Sequence, residues 1–132
     1  FCRKAIAEYK KIRPVVQLGD LYRLVSPYEG HNMASLMYVT EDKSEAAFFW
    51  WKTELLWEDL IPRMKMAGLD PEKKYRIKEL NRVDTNPLAY EGKVYTGKFL
   101  MEHGIEMPSK HWVDSELHRS DWTSRVLHLV AE

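Results

Sequence analysis

The sequence predicts a mainly β protein, an antiparallel β-sandwich preceded by one N-terminal α-helix. Three observations carry that reading. The first residues keep a helical apolar period, and after Gly19 the chain changes to short segments rich in β-branched, aromatic and leucine residues. Turn chemistry separates those segments at the spacing of a two-layer antiparallel structure.

In "FCRKAIAEYKKIR", residues 1–13, Ala5, Tyr9 and Ile12 line one side, with Val16 a turn further on. Basic residues occupy the opposite side and the last turn, where a helix dipole favours them. Pro14 is expected to stop this helix near Arg13, because proline lacks an amide proton and disfavours α geometry before it. Seven strands are then expected: "DLYRLV", "ASLMYVT", "EAAFFWWK", "RMKMAGL", "KYRIKEL", "KFLMEH" and "SRVLHLV". "TEDKSE" is a connection of hairpin length, and "DPEK" puts Asp70 and Pro71 where a type I turn takes them, so two hairpins are expected. In "KYRIKEL" Tyr75 and Ile77 alternate with basic residues, but Leu80 joins the basic face. Either a bulge lies near Glu79 or that face is partly covered. "LLWEDLIP", residues 55–62, reads equally as a helical turn or a loop.

At 132 residues the chain is one module with one core. Twenty basic and twenty acidic residues give a formal charge of zero, which argues against nucleic acid as a partner. No apolar run is long enough for a membrane helix, so a soluble protein is expected, with cytoplasm and bacterial periplasm both open. The single cysteine, Cys2, can form no internal disulfide. The chain opens on Phe1 with a helical pattern already under way, as if cut from something longer.

Sequence motifs for several chemistries are missing: no G-x-S-x-G elbow, no phosphate-cradling glycine loop, no C-x-x-C and no H-E-x-x-H. In "HWVDSELHR" the residues Asp114, Glu116 and His118 would share a strand face near His111, but solvated polar residues on an edge are the plainer reading, and no metal or cofactor is assigned. His128, between Leu127 and Leu129, is expected to face away from those leucines and be structural. Trp50 and Trp51 must face opposite sides of one strand, so at least one is core. Trp112 and Trp122 lie in a polar stretch and are the weak candidates for stacking on a sugar ring. Met64 and Met66 read as core filling.

Taken together, "AIAEYKKIRPVVQLGDLYRLVSPYE", "ASLMYVTEDKSEAAFF", "GLDPEKKYRIKELN" and "YTGKFLMEHGI" resemble, in order as well as in wording, the C-terminal portion of family 36 glycoside hydrolases, the α-galactosidases. The resemblance implies a Greek-key sandwich that follows a catalytic (β/α) barrel. It makes residues 1–18 the last helix of that barrel with its connector, and 19–132 the C-terminal domain. "GDLYRLVSPYEG" would then be the seam between them.

Retaining hydrolysis needs two carboxyl groups flanking the scissile bond, roughly 5 Å apart. In the family these are barrel aspartates whose motifs this sequence lacks, so no catalytic residue is assigned. The resemblance therefore implies an accessory domain, silent by itself, whose partner is the catalytic barrel of the same polypeptide. Ala5, Tyr9 and Ile12 are the expected interdomain contacts. The alternative is a carbohydrate-binding module taking a galacto-oligosaccharide on its exposed tryptophans.

Overall fold

The computed structural model describes residues 2–29, 32–53, 63–82, 87–107 and 122–132, with the backbone alone at 110–113 and 116–119. Helix α1 (Cys2–Leu18) leads into β1 (Asp20–Val25), a 3-10 turn (Pro27–Glu29), β2 (Met33–Val39), β3 (Glu45–Lys52), β4 (Lys74–Glu79) and β5 (Val94–Thr96). A short helix α2 (Gly97–Glu102), β6 (Lys110–Val113), β7 (Glu116–Arg119) and β8 (Thr123–Ala131) complete the described chain. Six strands form one antiparallel sheet in the order β1-β2-β3-β8-β4-β5, and β6 pairs with β7 in a separate ribbon. The mainly β, antiparallel architecture with one long leading helix is therefore the one the sequence predicts.

The two faces of the sheet are closed differently. Strict alternation sends Met33, Met37, Val39, Phe48, Trp50, Tyr75, Ile77, Leu127 and Leu129 to the inner face, where Met64, Met66, Leu69, Leu100, Ile105 and Met107 pack on them. On the outer face, Ile12 and Val15 of α1 rest on Ala47 and Leu80, with Val16, Tyr38, Phe49 and Val126 around them. This settles the anomaly at Leu80: the basic face of β4 is covered there by α1.

Four local expectations are corrected. Pro14 does not end α1, which continues to Leu18. Its ring lies on the exposed side, away from Ile12 and Val15. The carbonyl deprived of a donor belongs to the exposed Lys10, where water can serve it. The helix ends instead at Gly19, whose amide donates to the Val15 carbonyl at 2.8 Å. A Cβ at Gly19 would come within 2.9 Å of the Val39 carbonyl oxygen, so only glycine lets the helix turn this tightly onto β2.

"KFLMEH" is helical rather than a strand. The Thr96 hydroxyl caps α2 by accepting from the Phe99 amide, and a short apolar run with good helix formers carries no periodicity that decides between the two states. "RMKMAGL" contributes one isolated bridge, Met64 to Ile105, and otherwise runs as coil, although Met64, Met66 and Leu69 are buried as core. Of the two expected hairpins, the one closing β2 onto β3 is present. The Asp70 turn is present too, its carboxylate accepting from the Glu72 amide at 3.0 Å, but it enters β4 from coil. Residues 55–62, which read equally as a helical turn or a loop, lie outside the described residues.

Candidate functional site

The outer face offers the candidate site, because α1 covers it incompletely. Ile12 is 2% exposed, whereas Tyr9 is 48% exposed and Ala5 lies open one turn before it. Between the N-terminal half of α1 and the sheet runs a groove of about 420 Å³, walled by Ala5, Tyr9, Ile12, Phe49, Leu80 and Val126. Lys4, Glu8, Asn81, Arg82 and Ser124 complete its lining. The three residues expected from the sequence to form a contact surface are thus together on one wall: Ile12 closes the floor, and Tyr9 and Ala5 face the opening.

Most polar groups of the groove are already committed. Asn81 donates from Nδ2 to the Ser124 carbonyl at 3.2 Å, and its Oδ1 accepts from the Val126 amide at 2.7 Å, extending the β4–β8 ladder. Arg82 pairs with Glu91. Lys11 donates to Glu8 Oε1 at 2.8 Å, an i, i+3 pair. That bond, helped by the Lys78 charge, lowers the Glu8 carboxyl below its ordinary range against the opposing effect of burial.

The apolar surface continues past the groove. Phe49 stacks on Trp51 with ring centroids 5.8 Å apart and planes 12° apart, and Trp51 remains 39% exposed. Across the strand pair, Trp51 stands opposite Ser124. Two residues before that serine is Trp122, whose amide donates to the Thr53 carbonyl at 3.3 Å and whose side chain is 79% exposed. Trp122 has φ 58°, a left-handed conformation uncommon for a bulky residue.

Of the tryptophans, Trp50 is fully buried and Trp51 faces out, as strand geometry requires. Trp112 stands opposite Leu117 in the β6–β7 ribbon, and its side chain lies outside the described residues. In that ribbon His111 pairs with His118, while Asp114 is outside the described residues. Among the described residues no three His, Cys, Asp or Glu side chains are grouped to hold a metal. His128 is structural, its Nε2 lying 2.9 Å from Glu45 Oε2.

Sequence reasoning missed a second feature, on the inner face. Arg125 Nη1 donates to Glu79 Oε1 at 2.7 Å, with both side chains almost wholly buried. Strand parity was the available signal, since it puts Glu79 in phase with Tyr75 and Ile77, and Arg125 in phase with Leu127 and Leu129. Burial pushes the nearby Tyr90 phenol up, partly offset by the Arg125 charge.

Fold and surface together define a β domain with a closed core and one incompletely covered helical face. Residues 33–129 match the glycosyl hydrolase family 36 C-terminal domain, and the chain belongs to that family. It is 33% identical to alpha-galactosidase AgaA of Geobacillus stearothermophilus over 106 residues, 80% of this chain and 13% of that protein. It is 30% identical to alpha-galactosidase Mel36A of Lactobacillus acidophilus over 128 residues, 97% of this chain and 15% of that one. The crystal structure of the Geobacillus AgaA enzyme superposes with a TM-score of 0.74 at 31% identity, covering 96% of this chain and 15% of that one. The chain thus spans about an eighth to a seventh of the length of these relatives.

Proposed function

We propose that this chain is the accessory domain of an α-galactosidase, a retaining enzyme releasing terminal α-galactosides, and that it supports the catalytic barrel without acting alone. In this reading α1 is the last helix of the barrel, and residues 19–132 form the domain behind it. The family match over residues 33–129, in relatives of which this stretch is so small a share, is the observation that carries the proposal. The half-open helix supports it: Ile12 anchors α1 to the sheet while Tyr9 and Ala5 stay available to a neighbour. A variant of the Geobacillus enzyme has been solved in complex with raffinose, which suggests the class of substrate for the intact polypeptide.

The test is an assay with a nitrophenyl α-galactoside. The intact polypeptide should hydrolyse it and the 132-residue chain should not. Turnover by the chain alone would overturn the accessory reading.

A further inference from the structure

We propose that the groove beside α1 and the aromatic surface continuing from it, Tyr9–Phe49–Trp51–Trp122, seat the stretch of the intact polypeptide that leads into α1. This rests on the accessory-domain reading and adds to it the surface used and the character of the occupant, an apolar segment.

Continuity of the surface is the first argument. Tyr9 and Phe49 share the groove, Phe49 stacks on Trp51, and Trp51 pairs with Ser124, two residues after Trp122, whose amide bonds the Thr53 carbonyl just beyond β3. Isolated exposed apolar residues are ordinary, but a contiguous set of large ones marks an interaction site. Tyr9 in the groove and Trp51 and Trp122 past its end, with 39–79% of their surface open, are offered as such a set.

The second argument is the path of the chain. Lys4, Ala5 and Glu8 line the groove together with Asn81, Arg82 and Ser124, so the first turns of α1 face those residues across it. In relatives more than four fifths of the polypeptide lies outside the stretch matched here. A segment joined to α1 at this end is held beside the patch at an effective concentration on the order of millimolar. Little affinity of its own is then needed.

The third argument is chemical. A sugar subsite presents free, convergent hydrogen-bonding groups beside its stacking ring. Here Asn81 and Ser124 are bonded to each other and to the β8 backbone, Arg82 pairs with Glu91, and Glu8 keeps its Oε1 on Lys11, leaving its Oε2 a single unpartnered acceptor rather than a convergent set. What remains open is chiefly apolar and aromatic, which suits hydrocarbon side chains better than hydroxyls.

Hydroxyl-radical footprinting read by mass spectrometry on the intact polypeptide tests this residue by residue, with the urea-unfolded sample as reference. Trp122, Trp51 and Tyr9 should be protected nearly as well as the core residue Trp50, about fivefold or more below the unfolded reference, because an interface core excludes water as an interior does. Reactivity of Trp122 and Tyr9 close to the unfolded value overturns the proposal. If Leu18 or Tyr28, both highly exposed here, is protected instead, the partner docks elsewhere and the accessory reading stands. If all four stay reactive, both readings fail. Protection that appears only on raising the protein concentration points to a second copy, and protection only with raffinose points to a sugar site; either result also overturns the proposal.

Discussion

The inner and outer faces of the same strands are finished to different degrees. On the inner face every second residue of β2, β3 and β4, and of β8 as far as Leu129, is buried, and even a carboxylate and a guanidinium are sealed there against each other. On the outer face one helix rests on few residues, and large aromatic surface stays open beside it. Both faces use the same alternation, so the difference does not come from the strands. It comes from what covers them: loops and α2 that belong to the domain on one side, and on the other a helix only half engaged. If the proposed barrel covers this outer face, the chain without it should keep its sheet and lose order first at α1.

The largest expected effect lies in the inner face. Arg125→Leu leaves Glu79 buried without its cation and should cost about 3–5 kcal/mol, read as a lower urea midpoint at unchanged slope. Replacing both residues with leucine should recover most of that loss, since two desolvated charges are exchanged for packed side chains. A single-variant cost below about 1 kcal/mol would mean that the inner face is not the closed side of the comparison.

A matched pair of truncations sharpens the contrast. Ile77→Ala should cost about 2–5 kcal/mol, because the sheet cannot collapse around the cavity. Ile12→Ala, at an equally buried position, should cost about 1–2 kcal/mol, since α1 can detach locally and leave the sheet intact. Hydrogen exchange gives the same comparison without substitution. Amides of residues 3–12 should exchange well before those around Met37 and Phe48. Equal protection would assign α1 to the domain itself and move the proposed boundary away from Gly19.

How much of this was legible in the sequence differs between the two faces as well. The strands showed themselves through period-2 patterning, and that pattern survives in β2, β3, β4 and β8. It failed at "KFLMEH", where a run too short to show a period was decided by the Thr96 cap, and at "RMKMAGL", buried without laddering. Pro14 misled because a local rule was overridden by the packing of Ile12 and Val15. At the site, Ala5, Tyr9 and Ile12 were readable because helical spacing groups them. The extension past Tyr9 was not, because Phe49 and Trp51 are brought beside α1 only by the packing of the helix on the sheet, and Trp122 is brought beside the end of β3 only by strand pairing.

The smallest expected effects are in acid, where each region carries a carboxylate with a lowered pKa. Asp42, in the β2–β3 turn, is held at about 2 by hydrogen bonds from the Ser44 hydroxyl and amide and from the Thr40 hydroxyl. Glu8, in the wall of the groove, is lowered chiefly by its hydrogen bond from Lys11. A carboxylate lowered by folding contributes stability that is complete above its unfolded pKa and is lost as the pH falls through the folded value. For Asp42 that loss runs from about pH 4 down to about pH 2, and it should loosen the turn between β2 and β3. For Glu8 it begins below the ordinary glutamate value and should loosen only α1. Exchange rates corrected for intrinsic chemistry, compared between about pH 5 and about pH 3, should therefore rise in α1 and at the β2–β3 turn and stay level in β8. Glu8→Gln should remove the pH dependence in α1 from a weaker starting point. Asp42→Asn should leave it in place. If α1 still responds to acid in Glu8→Gln as it does in the parent chain, the Lys11 bond does not support the helix, and the weak side of the molecule owes its order to the packing of Ile12 and Val15.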